Sequence, residues 1–303
     1  MNAWIMNAAR MVSAGLLLAS LAAGTLADRP QMRPPLWIAG YRVLAADFHV
    51  HSYPLSASTL APWDLVLEAR RQSLDAFAFT GHNQVEAGLL GRWFARLVGG
   101  PTVIAGEEIH APGYHLIAAG IHSTISWRNT AAQSIAAIHA QGGVAIAAHP
   151  VRSSWPAFDP RTIASLDASE IMQPIVYGNN QGARELPEFY QRAPLAAIGS
   201  SDYHGVGPLG LCRTYVFARD DSEQSILDAI RQRHTVVYDG DGRAWGDPQL
   251  IQLAAGRLRE REPEPSGSLD LFSRAAGLLG LIGILISGNR VVYSAKEKEI
   301  VPK

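Results

Sequence analysis

The sequence predicts an α/β fold, either a barrel or a doubly wound sheet, and three observations carry that expectation. Short apolar runs recur between about residues 41 and 253, at 43–46, Ala76–Phe79, 102–105, 144–148, Ala168–Met172 and 195–198. Near-continuous apolar strands of four or five residues suit a sheet covered on both faces. Helix-like stretches lie between several of them, and strand–helix alternation over such a span is the pattern of α/β domains. Five of the runs also end in His, Glu or Asp. In parallel α/β folds the carboxyl ends of the strands form the rim where chemistry is done.

Composition narrows the class. With 48% hydrophobic and 17% charged residues in 303, the chain can bury a sizeable core, so general disorder is excluded. Twenty-six Lys and Arg against 27 Asp and Glu leave a formal charge of −1, which argues against a surface that coats double-stranded nucleic acid. A single cysteine, Cys212, excludes an intrachain disulfide and any cysteine-rich zinc module. Ten histidines stand out, so a metal site here has to be built from imidazole and carboxylate.

Taken in order, residues 1–27 read as an export signal. Arg10 supplies positive charge, 11–23 is apolar, and Thr25-Leu26-Ala27 precedes a cut ahead of Asp28. Left uncut, the same segment is an N-terminal anchor. No cysteine lies near the cut, which excludes a lipoprotein, and one unpaired thiol suits an oxidising compartment. The first strand run leads into Asp47-Phe48-His49-Val50-His51-Ser52. A helix over 62–74 opens on proline, well placed in a first turn. The run Ala76–Phe79 leads into Thr80-Gly81-His82-Asn83, and 102–105 into Gly106-Glu107-Glu108. The turn signal Ala111-Pro112-Gly113 follows, with an apolar run over Tyr114–Ala119. A helix over 130–141 stops at Gly142-Gly143. The run 144–148 leads into His149-Pro150, and 195–198 into Gly199-Ser200-Ser201-Asp202-Tyr203-His204. A helix over 221–233 opens on Asp221 and Gln224, the spacing of a capping box, and 234–238 reads as a strand. Residues 254–274, rich in Glu and Pro near their centre, read as a linker. A second apolar run at 275–287 precedes a tail with Arg290, Lys296, Lys298 and Lys303, which fits either a membrane anchor or a packed amphipathic helix. The expected location is exported, periplasmic or membrane-associated.

One histidine after a strand is usually a hydrogen-bonded core residue. Five such coincidences point to one shared site. Residues two apart on a strand share a face, so His49 and His51 sit side by side with Phe48 and Val50 turned to the core. Asp202 and His204 repeat that spacing. If the 111–113 turn closes with His110 opposite Gly113, Glu108 faces His115 across the hairpin. Glu107 then points the other way, as a solvated carboxylate. His110, His122, His139 and His234 follow no motif and are expected to bind nothing.

In this order, HxH, T-x-H-N, G-x-E, H-P and S-D-x-H resemble the PHP (polymerase and histidinol phosphatase) phosphoesterases, within the wider amidohydrolase-like barrels. The likeness runs from about Tyr41 to Leu253. It implies a distorted (β/α)7 barrel with two or three divalent ions, Zn, Mn or Fe, at the strand ends. It assigns His49, His51, Glu108 and Asp202 to a first metal, with Glu108 bridging to a second held by His115 and His149. His82 and His204 serve a third, and Asp47 orients an imidazole from behind. The third site lacks a usual ligand, since Ser56-Ala57-Ser58-Thr59 offers no strong donor, and a nearby carboxylate is gone too, since Gly81 stands where the family usually has Asp. The implied activity is hydrolysis of a small phosphate ester by metal-activated water, with Asp202 or His204 moving protons and Arg152 or Arg213 meeting the phosphate. A fainter likeness of 231–248 to a branch with carbaryl-hydrolysing enzymes makes a carboxyl ester, carbamate or amide the second expectation, and a non-catalytic metal-binding module the third. Oligomeric state is left open.

Overall fold

The computed structural model describes residues 3–27, 34–54, 56–177, 182–205, 207–258 and 268–298. The chain divides into two compact units, Pro30–Glu260 and the pair of ends Met1–Arg29 with Arg261–Lys303. The helices of the second unit are α1 (Ala3–Ala27) and α10 (Ser268–Lys298), so α10 starts seven residues before the apolar run, inside the stretch read as linker.

The larger unit is built on one sheet whose strands are β1 (Leu36–Ile38), β2 (Tyr41–Val50), β3 (Ala76–Phe79), β4 (Thr102–Ala111), β5 (Tyr114–Ala119), β6 (Val144–Ala147), β7 (Ala168–Met172), β8 (Ala196–Gly199), β9 (Thr214–Ala218), β10 (Thr235–Tyr238) and β11 (Ala244–Gly246). Around it lie α2 (Pro62–Arg71), α3 (Glu86–Val98), α4 (Ala131–Ala140), α5 (Pro160–Ala164), α6 (Pro174–Tyr177), α7 (Gly182–Tyr190), α8 (Glu223–Arg231) and α9 (Pro248–Ala254). Every run read as a strand forms one, β3 and β7 with the ends read and the others with shifted ends. The order is β11-β10-β9-β2-β3-β4-β5-β6-β7-β8, with β1 added on β2.

The pairing is mixed, in a sheet with more strands than the seven of the distorted barrel expected. β2-β3-β4 and β6-β7-β8 are parallel sets, while β5 joins them antiparallel on both sides and β9 pairs antiparallel with β2. The sheet nearly closes on itself. The Thr214 hydroxyl of β9 accepts from the Gly199 amide of β8 and donates to the Gly199 carbonyl, and Ile171 and Ala197 pack on Val237 and Trp245.

Side chains sort by strand parity. Leu44, Ala46 and Phe48 join Ala76, Ala78, Ile104, Ile117, Ile146, Ala168, Ile198 and Val216 inside the barrel, while Val43, Ala45, Phe77, Phe79, Ile109 and Leu116 pack outward under helices and loops. Ile226, Leu227 and Ile230 of α8 complete the interior cluster, with Leu227 over Gly120 at the end of β5 away from His115. The rim by His115 is thus the open end. At α8 the N-cap is Ser222, whose hydroxyl accepts from the Ser225 amide, rather than Asp221 with Gln224. At α4 the Thr130–Gln133 capping box satisfies two end groups reciprocally.

Candidate metal centre

Each donor reaches the rim for a local reason. On β2 strict alternation from Val43, Ala45 and Asp47 would send His49 and His51 outward. Between Asp47 and Val50 the register to β3 slips, three residues spanning what Phe77 to Phe79 spans in two. Such a bulge flips the pleat, so His49 and His51 turn inward while Phe48 joins the interior cluster and Val50 the outer one. Phe48 and Val50 therefore do not share a face, contrary to the plain strand reading. Glu108 needs no such device, because it lies in the inner series with Ile104.

The hairpin brings His115 back to the same edge by a different register from the one expected. Ala111 pairs with Tyr114 and His110 with His115, so Glu108 lies opposite Ile117 and meets His115 diagonally. Pro112 and Gly113 form the two-residue turn, with Gly113 at φ +94°, as a type II turn requires. His149 and Asp202 follow the ends of β6 and β8 with φ of +29° and +48°. Left-handed backbone at two non-glycine ligand candidates is strain of the kind stored at functional sites.

Glu108 is the hub. Its Oε1 lies 2.8 Å from His115 Nδ1 and 3.3 Å from His149 Nε2, while its Oε2 lies 3.3 Å from His49 Nε2, 3.5 Å from His51 Nε2 and 3.0 Å from His82 Nε2. Asp202 Oδ1 is 3.3 Å from His49 Nε2 and 3.1 Å from His51 Nε2. Ligand atoms about 3.3 Å apart are what a tetrahedron with bonds near 2.0–2.1 Å has along its edges. Two donor groups thus share one carboxylate, each on its own oxygen. His49, His149 and Asp202 make a further group between them, His82 and His110 make one with Glu108, and His51, His82 and His204 make one that is all imidazole.

The fit to a cation shows in what the protein leaves unpaired. His49 Nε2, Glu108 Oε1 and His115 Nδ1 are buried with no hydrogen-bond partner among the described residues. Although His115 and Glu108 come within 2.8 Å, they are not aligned for a bond. Burial opposes charge on His49, yet Asp202, Glu170 and Glu108 outweigh it and raise its pKa well above the usual value. Burial holds His51 down to about 4, against the pull of Asp202 and with the push of His49 and His204. Burial also works against ionised Glu108 and Asp202, but the surrounding imidazoles, His49 foremost, keep both below the usual carboxylate range. The acids are therefore held as anions beside a charged His49.

A second layer fixes the donors. Glu170 Oε1 is 2.9 Å from His49 Nδ1, its other oxygen accepts from the His149 amide, and the Ser200 hydroxyl donates to it. A carboxylate behind an imidazole sets its tautomer and basicity. The sequence reading missed Glu170, which stands in an apolar run at a second register slip, between β7 and β8. Its one signal was a carboxylate inside a strand otherwise fit for burial. The Gln173 amide donates to Asp202 Oδ2 at 2.7 Å, and Ser56 Oγ lies 2.9 Å from His51 Nδ1. The loop without a metal donor thus steadies a ligand instead.

Several expectations change. Asp47 touches no imidazole. Its carboxylate accepts from the amides of His49, Ser201 and Gly210 and from the Ser201 hydroxyl, tying the Asp202 loop to β2, and burial raises its pKa to about 6. Glu107 does point away from Glu108, but it is fully buried, accepts from the Ile125 amide, and is raised by burial to about 7. His110, set aside in the sequence, stands at the rim with ring centroids 3.9 Å from His115 and 4.9 Å from His82. His204 stacks on His51 at 4.0 Å. Arg152 is exposed, paired with Glu185 and Glu188, and Arg213 donates to the Gly210 carbonyl. His122, His139 and His234 stay outside the centre, His139 on Asp167 and His234 on Tyr41.

Two grooves open beside the donors. One of about 330 Å³ is lined by Tyr114, His115, Ala148, His149, Val151 and Ser154, the other of about 440 Å³ by Asn83, His110, Pro112, His115 and Trp127.

A family model described as PHP-associated matches residues 180–235. A two-domain protein from Bacteroides vulgatus, named for a predicted PHP-like metal-dependent phosphoesterase, superposes with a TM-score of 0.59 at 22% identity, over 74% of this chain and 73% of its own. An amidohydrolase from Chromobacterium violaceum, solved with sulfate and no metal, gives 0.46 at 14% identity, over 55% of this chain and 89% of its own. No curated protein matches. The chain has the fold of the Bacteroides protein, and the PHP-associated signature covers α7 through β9 to the start of β10.

Proposed function

We propose that the chain is a divalent-metal-dependent hydrolase that cleaves a small phosphate ester. The observation that carries this is Glu108, one buried carboxylate whose oxygens face two separate sets of donors. His49, His51 and Asp202 would hold one ion with Glu108 Oε2, and His115 and His149 the other with Oε1. Imidazole and carboxylate suit Zn²⁺, Mn²⁺ or Fe²⁺. When bound, such ions supply Lewis acidity and a water acidic enough to attack at neutral pH.

The chain's own groups supply the rest. His204 Nδ1 lies 2.8 Å from the Asp202 carbonyl, which can only accept, so the proton sits on Nδ1 and Nε2 is left basic. His204, partly exposed above His51, is thereby set to take or return a proton. Asp202 acts as ligand and as anchor for that ring. The grooves beside His115 receive the leaving group against Tyr114 and Trp127. The substrate is a small molecule outside the cytoplasm rather than double-stranded nucleic acid.

A second reading, hydrolysis of a carboxyl ester or carbamate, gains from Arg152, whose guanidinium is already committed to Glu185 and Glu188. Full-length protein, stripped with a chelator and reloaded with Zn²⁺, Mn²⁺ or Fe²⁺, separates the readings. Release of p-nitrophenol from its phosphate mono- and diesters, restored by metal and lost in His49→Ala with an unchanged melting curve, supports the first. Turnover of p-nitrophenyl acetate or a naphthyl carbamate alone supports the second. Two bound ions with no turnover on either panel leave a metal-binding module.

A further inference from the structure

We propose that α1 and α10 form a single antiparallel hairpin embedded in the hydrocarbon of a lipid bilayer, with the N-terminal segment retained. The reading rests on the second unit and is independent of what the barrel hydrolyses. Its first support is an inverted distribution of polarity. The buried positions described on the two helices are Ser13, Ala23, Ala276, Gly280 and Ser287. Large apolar residues face outward, among them Trp4, Met11, Leu18, Leu21, Phe272, Leu279 and Ile286. A helix pair stable in water buries its leucines and exposes its serines. Lipid tails are as apolar as leucine, so a pair in a membrane is held instead by close packing of small residues and by cross-helix hydrogen bonds.

Both features are present. The Ser20 hydroxyl donates to the Ser273 carbonyl at 2.7 Å and the Ser273 hydroxyl donates back to the Ser20 carbonyl at 2.8 Å. A Cβ on Gly283 would lie 2.1 Å from Ser13 Oγ, and one on Gly280 2.8 Å from the Ser13 carbonyl and from Leu17 Cγ. Only glycine allows that approach. The Arg10 guanidinium donates to the Ser287 carbonyl, an acceptor near the end of α10's apolar run. The apolar stretch of α1 is long enough to cross, with Asn7–Gly24 the best window. The uncharged stretch of α10, residues 275–289, rises about 22 Å against a hydrocarbon core of about 30 Å, and is bracketed in sequence by Arg274 and Arg290. Matching a short span is within reach of local thinning and tilt adjustment.

Membranes from cells expressing the full chain test this directly. The protein is expected to stay in the pellet through alkaline carbonate, to be released by detergent, and to have an intact mass that includes residues 1–27. Ser20→Cys with Gly277→Cys, where a Cβ lies 2.7 Å from Ser20 Oγ, is expected to give an intramolecular disulfide on mild oxidation, and neither single variant to do so. Recovery without detergent, a mass lacking the N-terminal segment, or a disulfide formed only between two chains would overturn the proposal.

Discussion

At Glu170 a buried carboxylate does three jobs at once, backing His49, holding the His149 amide and accepting from Ser200. Glu170→Gln keeps the shape but gives up the charge behind the imidazole. Metal affinity is expected to fall about 10- to 100-fold, read by competition with a chromophoric chelator, while the fold survives. Glu107 is the other carboxylate to separate from the metal centre. Its folded pKa of about 7 lies above the ordinary 4.5, so the folded state holds the proton more tightly than the unfolded one. The contribution to stability is complete below about pH 4.5 and is lost as pH rises through about 7. Glu107→Gln, which imitates the protonated form, is expected to gain stability relative to the parent between pH 5 and about 8 in matched thermal melts. A constant difference across that range would contradict the assignment.

Among the elements, the β4–β5 hairpin and the β2 bulge explain both what could be read in advance and what could not. The runs that end in histidine or acid announced a shared rim, because a strand buried on both faces leaves polar residues only where it emerges. The HxH spacing was legible, but its direction was not. Parity alone sends His49 and His51 outward with Asp47, and the register slip that turns them in has no mark in the local sequence. The turn at Pro112-Gly113 was visible, while its register was two residues off, which put Glu108 opposite His115 when it meets His115 along the diagonal. Antiparallel β5, between two parallel sets, is what distorts the barrel. His110 escaped notice because only the hairpin's return places it among the other rings. Gly113 sits at φ +94° with open space around its missing Cβ, so Gly113→Ala tests the turn by strain alone. A loss of about 1–2 kcal/mol is expected, with weaker metal binding through His115. Unchanged melting would show that the turn tolerates an L-residue and does not set the register.

For the whole molecule, the sheet, the rim and the two end helices divide the tasks. The nearly closed barrel carries the donors on its strands and just beyond their ends, and α8 fills the interior beneath. The two ends, which carry the apolar runs at 11–23 and 275–287, form a compact unit of their own. Composition had limited the site to imidazole and carboxylate, and the assembled cluster uses nothing else. The account stands or falls on whether Glu108 parts two ions. A crystal structure of protein loaded with Mn²⁺ or Zn²⁺, with anomalous maps collected at the metal edge, measures this most directly. Two peaks are predicted, one beside each Glu108 oxygen, the first among His49, His51 and Asp202 and the second between His115 and His149. A single peak away from Glu108, or ions scattered over the surface acids with none at the rim, would contradict it.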